Sequence, residues 1–294
     1  MRSSGDRVST QFHTIGRSLV LLEIGTPLRA LDQGMSKPIL FELEGPDGPA
    51  HWVVKPRSLD RRGGDGLVCE VAAADIAVAL GLRVPAMGML EFPSVPLEVE
   101  TSELGHRVAE VYRRDAGGTA FCSRFIEGGV HAVRGMFDDL RSVPLEMQED
   151  AVRLFALDVL LRHYDRRPGN PNLLVHEDRL VVIDHGHAFH GIEQVTEEGL
   201  SKFADTDQDQ AALADHVCAS VAARDRYEHV FDDVLARVRA LDDTTLDRLA
   251  SAWPDALDRS PDGTPSGMRS SVVAALRARR DAFPSLLRSV RAAL

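Results

Sequence analysis

The hydrophobic residues follow one pattern in the first part of the chain and another in the second. In the first part, short apolar runs alternate with turns rich in Gly, Pro and Asp, which is typical of β-strands. The runs that predict strands are residues 39–44, 51–55, 84–92, 108–112 and 119–125. The first two flank Gly45-Pro46-Asp47-Gly48-Pro49 and predict a β-hairpin with a longer loop. One Ala-rich run with helical spacing, residues 68–80, predicts the main helix of this part, ended by Gly81.

Helical spacing dominates after Glu127-Gly128-Gly129. The runs that predict helices are residues 146–162, 210–223, 227–240, 244–253 and 268–290. Between the first two, residues 172–176 and 179–183 predict a second hairpin, turned at Glu177-Asp178. The pattern therefore predicts an α+β fold of two lobes. The smaller lobe, residues 1–127, is rich in strands and has one main helix, and the larger lobe, residues 128–294, is mostly helical. A ligand is expected in the cleft between them.

Composition and charge narrow the class of protein. The chain of 294 residues has 34 Lys and Arg and 45 Asp and Glu, a formal net charge of −11, which argues against a nucleic-acid binder or a membrane-surface protein. Its three cysteines are far apart and form no CxxC pair, so reduced thiols are expected. The polar N-terminus lacks a signal-peptide core, and no apolar run is long enough to span a membrane. These features predict a soluble cytoplasmic protein.

Three polar residues near the second hairpin carry the candidate chemistry. Asp165 follows a predicted helix, Asn170 lies five residues later, and Asp184 ends the hairpin. Phosphotransferases use such a set to hold a substrate hydroxyl and the magnesium bound to ATP. Asp165 can accept the proton of an attacking hydroxyl, while Asn170 and Asp184 offer the hard oxygen ligands that Mg²⁺ prefers. The pattern predicts a protein-kinase-like fold that binds ATP and Mg²⁺.

The first lobe offers candidate groups for the nucleotide. Lys55 ends a predicted strand in a Val-Val-Lys sequence, resembling the kinase lysine that contacts ATP phosphates, and Glu70 in the following helix could pair with it. The sequence has no GxGxxG loop, so we expect backbone N–H groups of another loop to cover the phosphates. Either Gly34 to Lys37, with Gly34 and Ser36, or Arg61 to Gly66 could supply it. Backbone groups of Phe125 and Ile126, where the first lobe ends, could bind the adenine edge.

The sequence resembles the HipA-like kinase domain, a relative of the phosphatidylinositol 3- and 4-kinases. Five stretches carry the resemblance: Leu157-Asp158 through Asp165 to Leu174, Val182 to Phe189, Val54-Lys55, Glu70 to Ala73 and Gly81 to Pro85. The resemblance implies that Asp165 is the catalytic carboxylate, that Asn170 and Asp184 bind magnesium, and that Lys55 contacts phosphate with support from Glu70.

This sequence departs from ordinary protein kinases at two motifs. It has Asp-His-Gly at residues 184–186 in place of Asp-Phe-Gly, and it lacks the His-Arg-Asp order in the catalytic loop. Arg166 or Arg167 is expected to stabilise the transferring phosphoryl charge, and we assign this role to Arg167.

The sequence allows several hypotheses about the function. We expect transfer of the ATP γ-phosphoryl group to Ser or Thr of a protein, but a small molecule or a peptide natural product could be the acceptor. The chain could also be a catalytically silent nucleotide-binding module. A further alternative is a metallohydrolase that uses Asp184 and nearby histidines, completed by Asp165 or His163; the candidate histidines are His185, His187 and His190.

Overall fold

The computed structural model describes residues 11–15, 19–31, 38–59, 62, 65–94, 103–133, 135–192, 203, 207–259 and 264–294. Five strands close into a barrel in the order β1-β2-β3-β5-β4. They are β1 (Val20–Ala30), β2 (Ile39–Gly45), β3 (Gly48–Lys55), β4 (Met87–Glu91) and β5 (Thr119–Arg124). The β1 and β4 strands run parallel, and all other neighbours run antiparallel. Alternate residues such as Ile39, Phe41 and Leu43 are buried because side chains along a strand point to opposite faces.

The first hairpin is confirmed, but its predicted longer loop is wrong. Gly45 pairs with Gly48, so only Pro46 and Asp47 lie between the strands. Gly48 has a φ of +95°, a value that side-chain-bearing residues rarely adopt. The glycine therefore lets the chain reverse in a short turn.

The strand predicted at residues 108–112 is wrong, because the chain there forms helix α2 (Glu103–Asp115). Val108, Val111 and Tyr112 are all buried. Spacings of three and four residues bring these side chains onto one face of a helix, whereas alternate faces of a strand would separate them. Packing of this face under the barrel outweighs the strand preference of the β-branched valines.

The remaining helices lie mostly in the second part of the chain. They are α1 (Asp65–Ala79), α3 (Leu145–Leu161), α4 (Asp207–Leu213), α5 (Ala219–Ala222), α6 (Glu228–Ala240), α7 (Asp243–Ala252) and α8 (Met268–Arg291). Short 3₁₀ helices cover Arg57–Leu59, Leu140–Ser142 and Asp225–Tyr227. None of the helices in the described ranges is long and apolar enough to cross a membrane.

The single helix predicted over residues 210–223 is wrong, because the chain breaks between α4 and α5. His216 turns inward there and its Nε2 lies 2.8 Å from Asp158 Oδ2. The backbone N–H of Val217 donates to the Arg166 carbonyl at 3.1 Å. These two contacts hold the break against the segment that contains Asp165.

The second hairpin is confirmed as part of a small sheet with the order β6-β7-β8. Its strands are β6 (Val130–His131), which the sequence did not predict, β7 (Leu173–His176) and β8 (Arg179–Val182). Val182 N–H donates to the Arg83 carbonyl at 2.9 Å, which attaches the chain before β4 to the end of β8.

Two hydrophobic clusters form the core. The first fills the barrel and includes the buried face of α2. The second surrounds α3, in which 13 of the 17 residues are buried, so this helix is covered on nearly all sides. Helix α1 packs in the second cluster, which brings its Glu70 close to the end of β8.

Candidate active site

Three charged side chains from distant parts of the chain meet at the end of β3. Lys55 Nζ donates to Glu70 Oε1 in α1 and to Asp184 Oδ1, the latter at 2.8 Å. Glu70 Oε2 accepts the backbone N–H of His185 at 2.7 Å. Glu70 therefore connects the strand lysine to the Asp-His-Gly segment. A Cβ added at Gly186 would lie 3.3 Å from Glu70 Oε1, so a glycine leaves room for this contact.

The electrostatics keep Lys55 and Asp184 ionised. Burial alone would lower the pKa of Lys55, but the Asp184 and Glu70 carboxylates outweigh it and raise the pKa well above its usual range. The Lys55 ammonium holds the pKa of Asp184 well below its usual range. Burial raises the pKa of Glu70, and the contacts with Lys55 oppose that rise. Lys55 and Asp184 are thus charged at neutral pH, and the Asp184 side chain is 31% exposed.

Asp165 lies on a tight loop that begins where α3 ends. Arg162 ends the helix in a left-handed conformation, with φ 50°. Asp165 Oδ2 accepts from Asn170 Nδ2 at 2.9 Å and from Asn172 Nδ2 at 3.3 Å. Arg167 and Asn170 exchange two backbone hydrogen bonds around Pro168-Gly169, which closes the loop. Because the Asn170 amide nitrogen points to Asp165, its side-chain oxygen is the group that can bind a cation.

Arg166 connects the loop to the strand end that carries Asp184. Its side chain is fully buried, and its Nε lies 2.9 Å from Asp158 Oδ2. Its NH1 donates to the Asn172 and Ile183 carbonyls at 2.7 and 2.9 Å, and its NH2 lies 3.0 Å from His185 Nδ1. A role for Arg166 in holding the transferred phosphoryl group is therefore wrong, because its guanidinium is enclosed by protein. The Arg167 side chain is exposed, and its Nε donates to the Tyr164 carbonyl at 3.3 Å.

Sequence reasoning gave no role to two buried polar residues behind the loop, Asp158 and His216, and considered a third, His163, only as a metal ligand. Burial raises the pKa of Asp158, but the Arg166 guanidinium together with His163 and His216 outweighs it and brings the pKa to about 2. Burial, together with Arg166, lowers the pKa of His163 to about 4, so this imidazole is neutral. A signal was present, since Asp158 is a charged residue within the apolar run of α3, where an unpaired carboxylate would be costly.

Of the two loops predicted to cover the phosphates, the structure describes only part of one. Gly34 and Ser36 fall outside the described residues, as do Arg61 and Gly63-Gly64 of the alternative loop. Arg62 of that loop donates from NH1 to the Gly186 and Ala188 carbonyls at 3.0 and 2.8 Å, so it contacts the Asp-His-Gly segment.

Phe125 and Ile126 lie where the chain leaves the barrel after β5. The Phe125 N–H donates to the His51 carbonyl at 2.9 Å, and the Ile126 carbonyl accepts from Gly129 N–H at 3.1 Å. Adenine binding by this segment stays a prediction.

The histidines of the metallohydrolase alternative do not form a metal centre. His187 and His190 are exposed, whereas His163 and His185 are buried. Across the described ranges, which include all four, no three His, Cys, Asp or Glu side chains are grouped to hold a metal ion. A magnesium ion needs fewer protein ligands, because it binds one or two protein oxygens and takes its other ligands from phosphates and water. Asp184 and Asn170 fit that requirement.

The comparison with known protein families supports the same class of function, a kinase, as the geometry of the site. A sequence profile of HipA-like kinases matches residues 24–261, which include the barrel except for the start of β1, the loop with Asp165 and the Asp-His-Gly segment. The chain belongs to the HipA-like kinase family. The family is one of kinases, so its members are phosphotransferases as a class. No curated protein matches this HipA-like chain.

Proposed function

We propose that this HipA-like kinase transfers the γ-phosphoryl group of ATP, with Mg²⁺, to a hydroxyl acceptor, and that the acceptor is Ser or Thr of a protein. The observation that supports this most is the Lys55–Glu70 pair bonded to Asp184. Kinases need a positioned lysine for the phosphates and a carboxylate for the metal at the same place. In the proposed two-lobed arrangement, residues 1–127 cover the nucleotide and residues 128–294 supply the catalytic loop.

The proposed roles follow from the position of each group. Lys55 binds phosphate oxygens and Glu70 holds it in place. Asp184 and Asn170 would hold magnesium, which would neutralise charge on the phosphates. Since Lys55 and Asp184 now pair with each other, binding of Mg²⁺ and ATP would move the ammonium from the carboxylate to the phosphates.

Asp165 is the proposed base for the acceptor hydroxyl. The hydroxyl oxygen forms a bond to the γ-phosphorus, the bond from that phosphorus to the bridging oxygen of ADP breaks, and the hydroxyl proton passes to the Asp165 carboxylate. The hydrogen bonds from Asn170 and Asn172 leave one Asp165 oxygen, Oδ1, for the hydroxyl. Exposed Arg167 is the group proposed to meet the transferring phosphoryl charge.

The nucleotide contacts complete the proposal. Backbone groups of Phe125 and Ile126 would meet the adenine edge, and the loop with Gly34 and Ser36 would cover the phosphates. Within the described part of the chain, the Ile126 N–H has no hydrogen-bond partner, which supports a ligand contact there.

A thermal shift tests nucleotide binding. ATP with Mg²⁺ should stabilise the protein by about 3 kcal/mol at a ligand concentration of roughly 100 Kd, because it binds only the folded state. The shift should be much smaller in Asp184→Asn. The matched control is Asp178→Asn, the same change on an exposed turn of the same hairpin. An equal shift in both variants would remove Asp184 from the nucleotide site.

Turnover then separates an enzyme from a silent nucleotide-binding module. Slow release of ADP from ATP should disappear in Asp165→Ala, while the thermal shift with ATP and Mg²⁺ persists. Turnover that continues unchanged in Asp165→Ala contradicts the role given to this carboxylate. A shift without any turnover in the unaltered protein would favour the silent module.

A further inference from the structure

A cavity of about 490 Å³ opens beside the catalytic loop. Pro168, three residues after Asp165, forms part of its wall. The other walls come from the turn at residues 135–138, from the segment between α4 and α5 with the start of α5, and from residues 293–294. The volume falls within the range of roughly 300–1,000 Å³ that is typical of ligand sites.

The cavity wall is fixed to the loop that carries Asp165. Val217, which lines the cavity, donates its N–H to the Arg166 carbonyl at 3.1 Å. His216, also in the wall, bonds to Asp158, and Asp158 in turn pairs with Arg166. A molecule held in the cavity would therefore keep a defined position relative to Asp165.

The charge of the lining is negative. Its formally charged side chains are Asp138 and Asp215, and no Lys or Arg lines the cavity. Both carboxylates are exposed, and within the described residues neither takes part in an ion pair. Within the described residues, some exposed aspartates do pair, as Asp139 does with Arg141 and Asp247 with Arg277, whereas others such as Asp178 do not. Two unpaired carboxylates in one cavity are complementary to a cationic ligand.

The approach to the cavity suits an extended chain better than a small cation. Strand β6 leads toward the turn at 135–138, and in the described structure it pairs with β7 alone, which leaves its other edge open. Val130 and Val133 are each 65% exposed, more than any other large hydrophobic side chain in the described ranges. An open strand edge with apolar side chains can bind a peptide in extended conformation.

We propose that this cavity binds the acceptor, and that the acceptor is a polypeptide segment with Lys or Arg close to the accepting Ser or Thr. The basic side chain lies between Asp138 and Asp215, and the backbone continues along β6. This inference rests on the proposed phosphotransfer function, for which it names the acceptor class.

Fluorescence anisotropy with two labelled peptides tests the inference. The basic peptide is Ala-Arg-Arg-Ala-Ser-Ala and the acidic one is Ala-Glu-Glu-Ala-Ser-Ala, each titrated with the full chain at low salt and without nucleotide. The basic peptide should bind at least about tenfold more tightly, and added salt should weaken it because the carboxylates are exposed. Asp138→Asn and Asp215→Asn should each weaken it by roughly two- to fivefold, and the double variant should lose the preference. Asp178→Asn, which lies outside the cavity, should bind as the unaltered protein does.

The outcomes separate this inference from the proposed function. Equal binding of both peptides, or a preference that survives the double variant, overturns the acceptor site even if ATP with Mg²⁺ stabilises the protein. A preference for the basic peptide that the double variant abolishes supports the site. If ATP with Mg²⁺ then gives no stabilisation, the phosphotransfer function falls and the cavity remains as a peptide-binding site.

Discussion

Removal of the Arg166 guanidinium should destabilise this HipA-like kinase more than removal of almost any other charge. Asp158 and Arg166 are both fully buried, with Nε and Oδ2 2.9 Å apart. Arg166→Met keeps most of the side-chain volume but leaves Asp158 with His216 as its remaining side-chain partner in the described structure. It also removes the donors to the Asn172 and Ile183 carbonyls.

The expected cost is about 3–5 kcal/mol of unfolding free energy, because a buried carboxylate loses its charged partner. At roughly 2–4 °C per kcal/mol for a chain of this size class, the melting temperature should fall by about 6–20 °C. Part of that loss should be recovered in Arg166→Lys, which keeps a charge but not the planar array of donors.

Urea unfolding of the metal-free protein measures the effect. The neighbouring exposed residue gives the control, since Arg167→Met should change the unfolding free energy by no more than about 0.5 kcal/mol. The double variant Asp158→Asn with Arg166→Met should lose less than the sum of the two single losses, because each single change removes the same ion pair. If Arg166→Met costs no more than Arg167→Met, the buried network does not hold the catalytic loop as argued.

Three further predictions concern neighbouring groups. His163 has a pKa near 6.5 in the unfolded chain and about 4 in the folded protein, so the unfolding free energy should fall by about 3 kcal/mol as pH drops from 7 to 4. Urea titrations should show a shallower pH dependence for His163→Asn. An unchanged slope in this variant would contradict the shifted pKa. Asp150→Ala removes a buried carboxylate that accepts two hydrogen bonds from Arg179 and one from the Leu180 backbone N–H. Chemical unfolding should therefore show an unfolding free energy lower by about 1–3 kcal/mol. A decrease below about 0.5 kcal/mol would rule out a stabilising role for this carboxylate. Gly186→Ala places a methyl group 3.3 Å from a Glu70 oxygen. Calorimetric titration should therefore show several-fold weaker binding of ATP with Mg²⁺. Unchanged affinity would show that the position of Glu70 does not affect nucleotide binding.

Local spacing in the sequence was enough to predict most elements and the loop with Asp165. The predicted helix before Asp165 is α3, and the hairpin before Asp184 is β7 and β8, because each forms from residues close together in the chain. The roles of Asp165, Asn170 and Asp184 stay predictions, but their loops are joined by the hydrogen bond from Ile183 N–H to the Asn172 carbonyl at 3.2 Å.

The features of the fold that the sequence did not predict depend on contacts between distant residues. The parallel pairing of β1 with β4 closes the barrel, and no local pattern specifies it. The break between α4 and α5 depends on His216 reaching Asp158, which is 58 residues away in the sequence. The valines of α2 favour a strand, but the spacing of three and four residues from Val108 to Val111 and Tyr112 fits one face of a helix, and packing of that face in the barrel core outweighs the strand preference.

A crystal structure with a non-hydrolysable ATP analogue and Mg²⁺ tests the central claim most directly. We expect the metal to lie between the phosphates and the oxygens of Asp184 and Asn170, with Lys55 turned from Asp184 to the phosphates and still paired with Glu70. The Asp165 carboxylate should face the γ-phosphate from the acceptor side. A nucleotide bound elsewhere, or a metal that contacts neither Asp184 nor Asn170, would contradict the account.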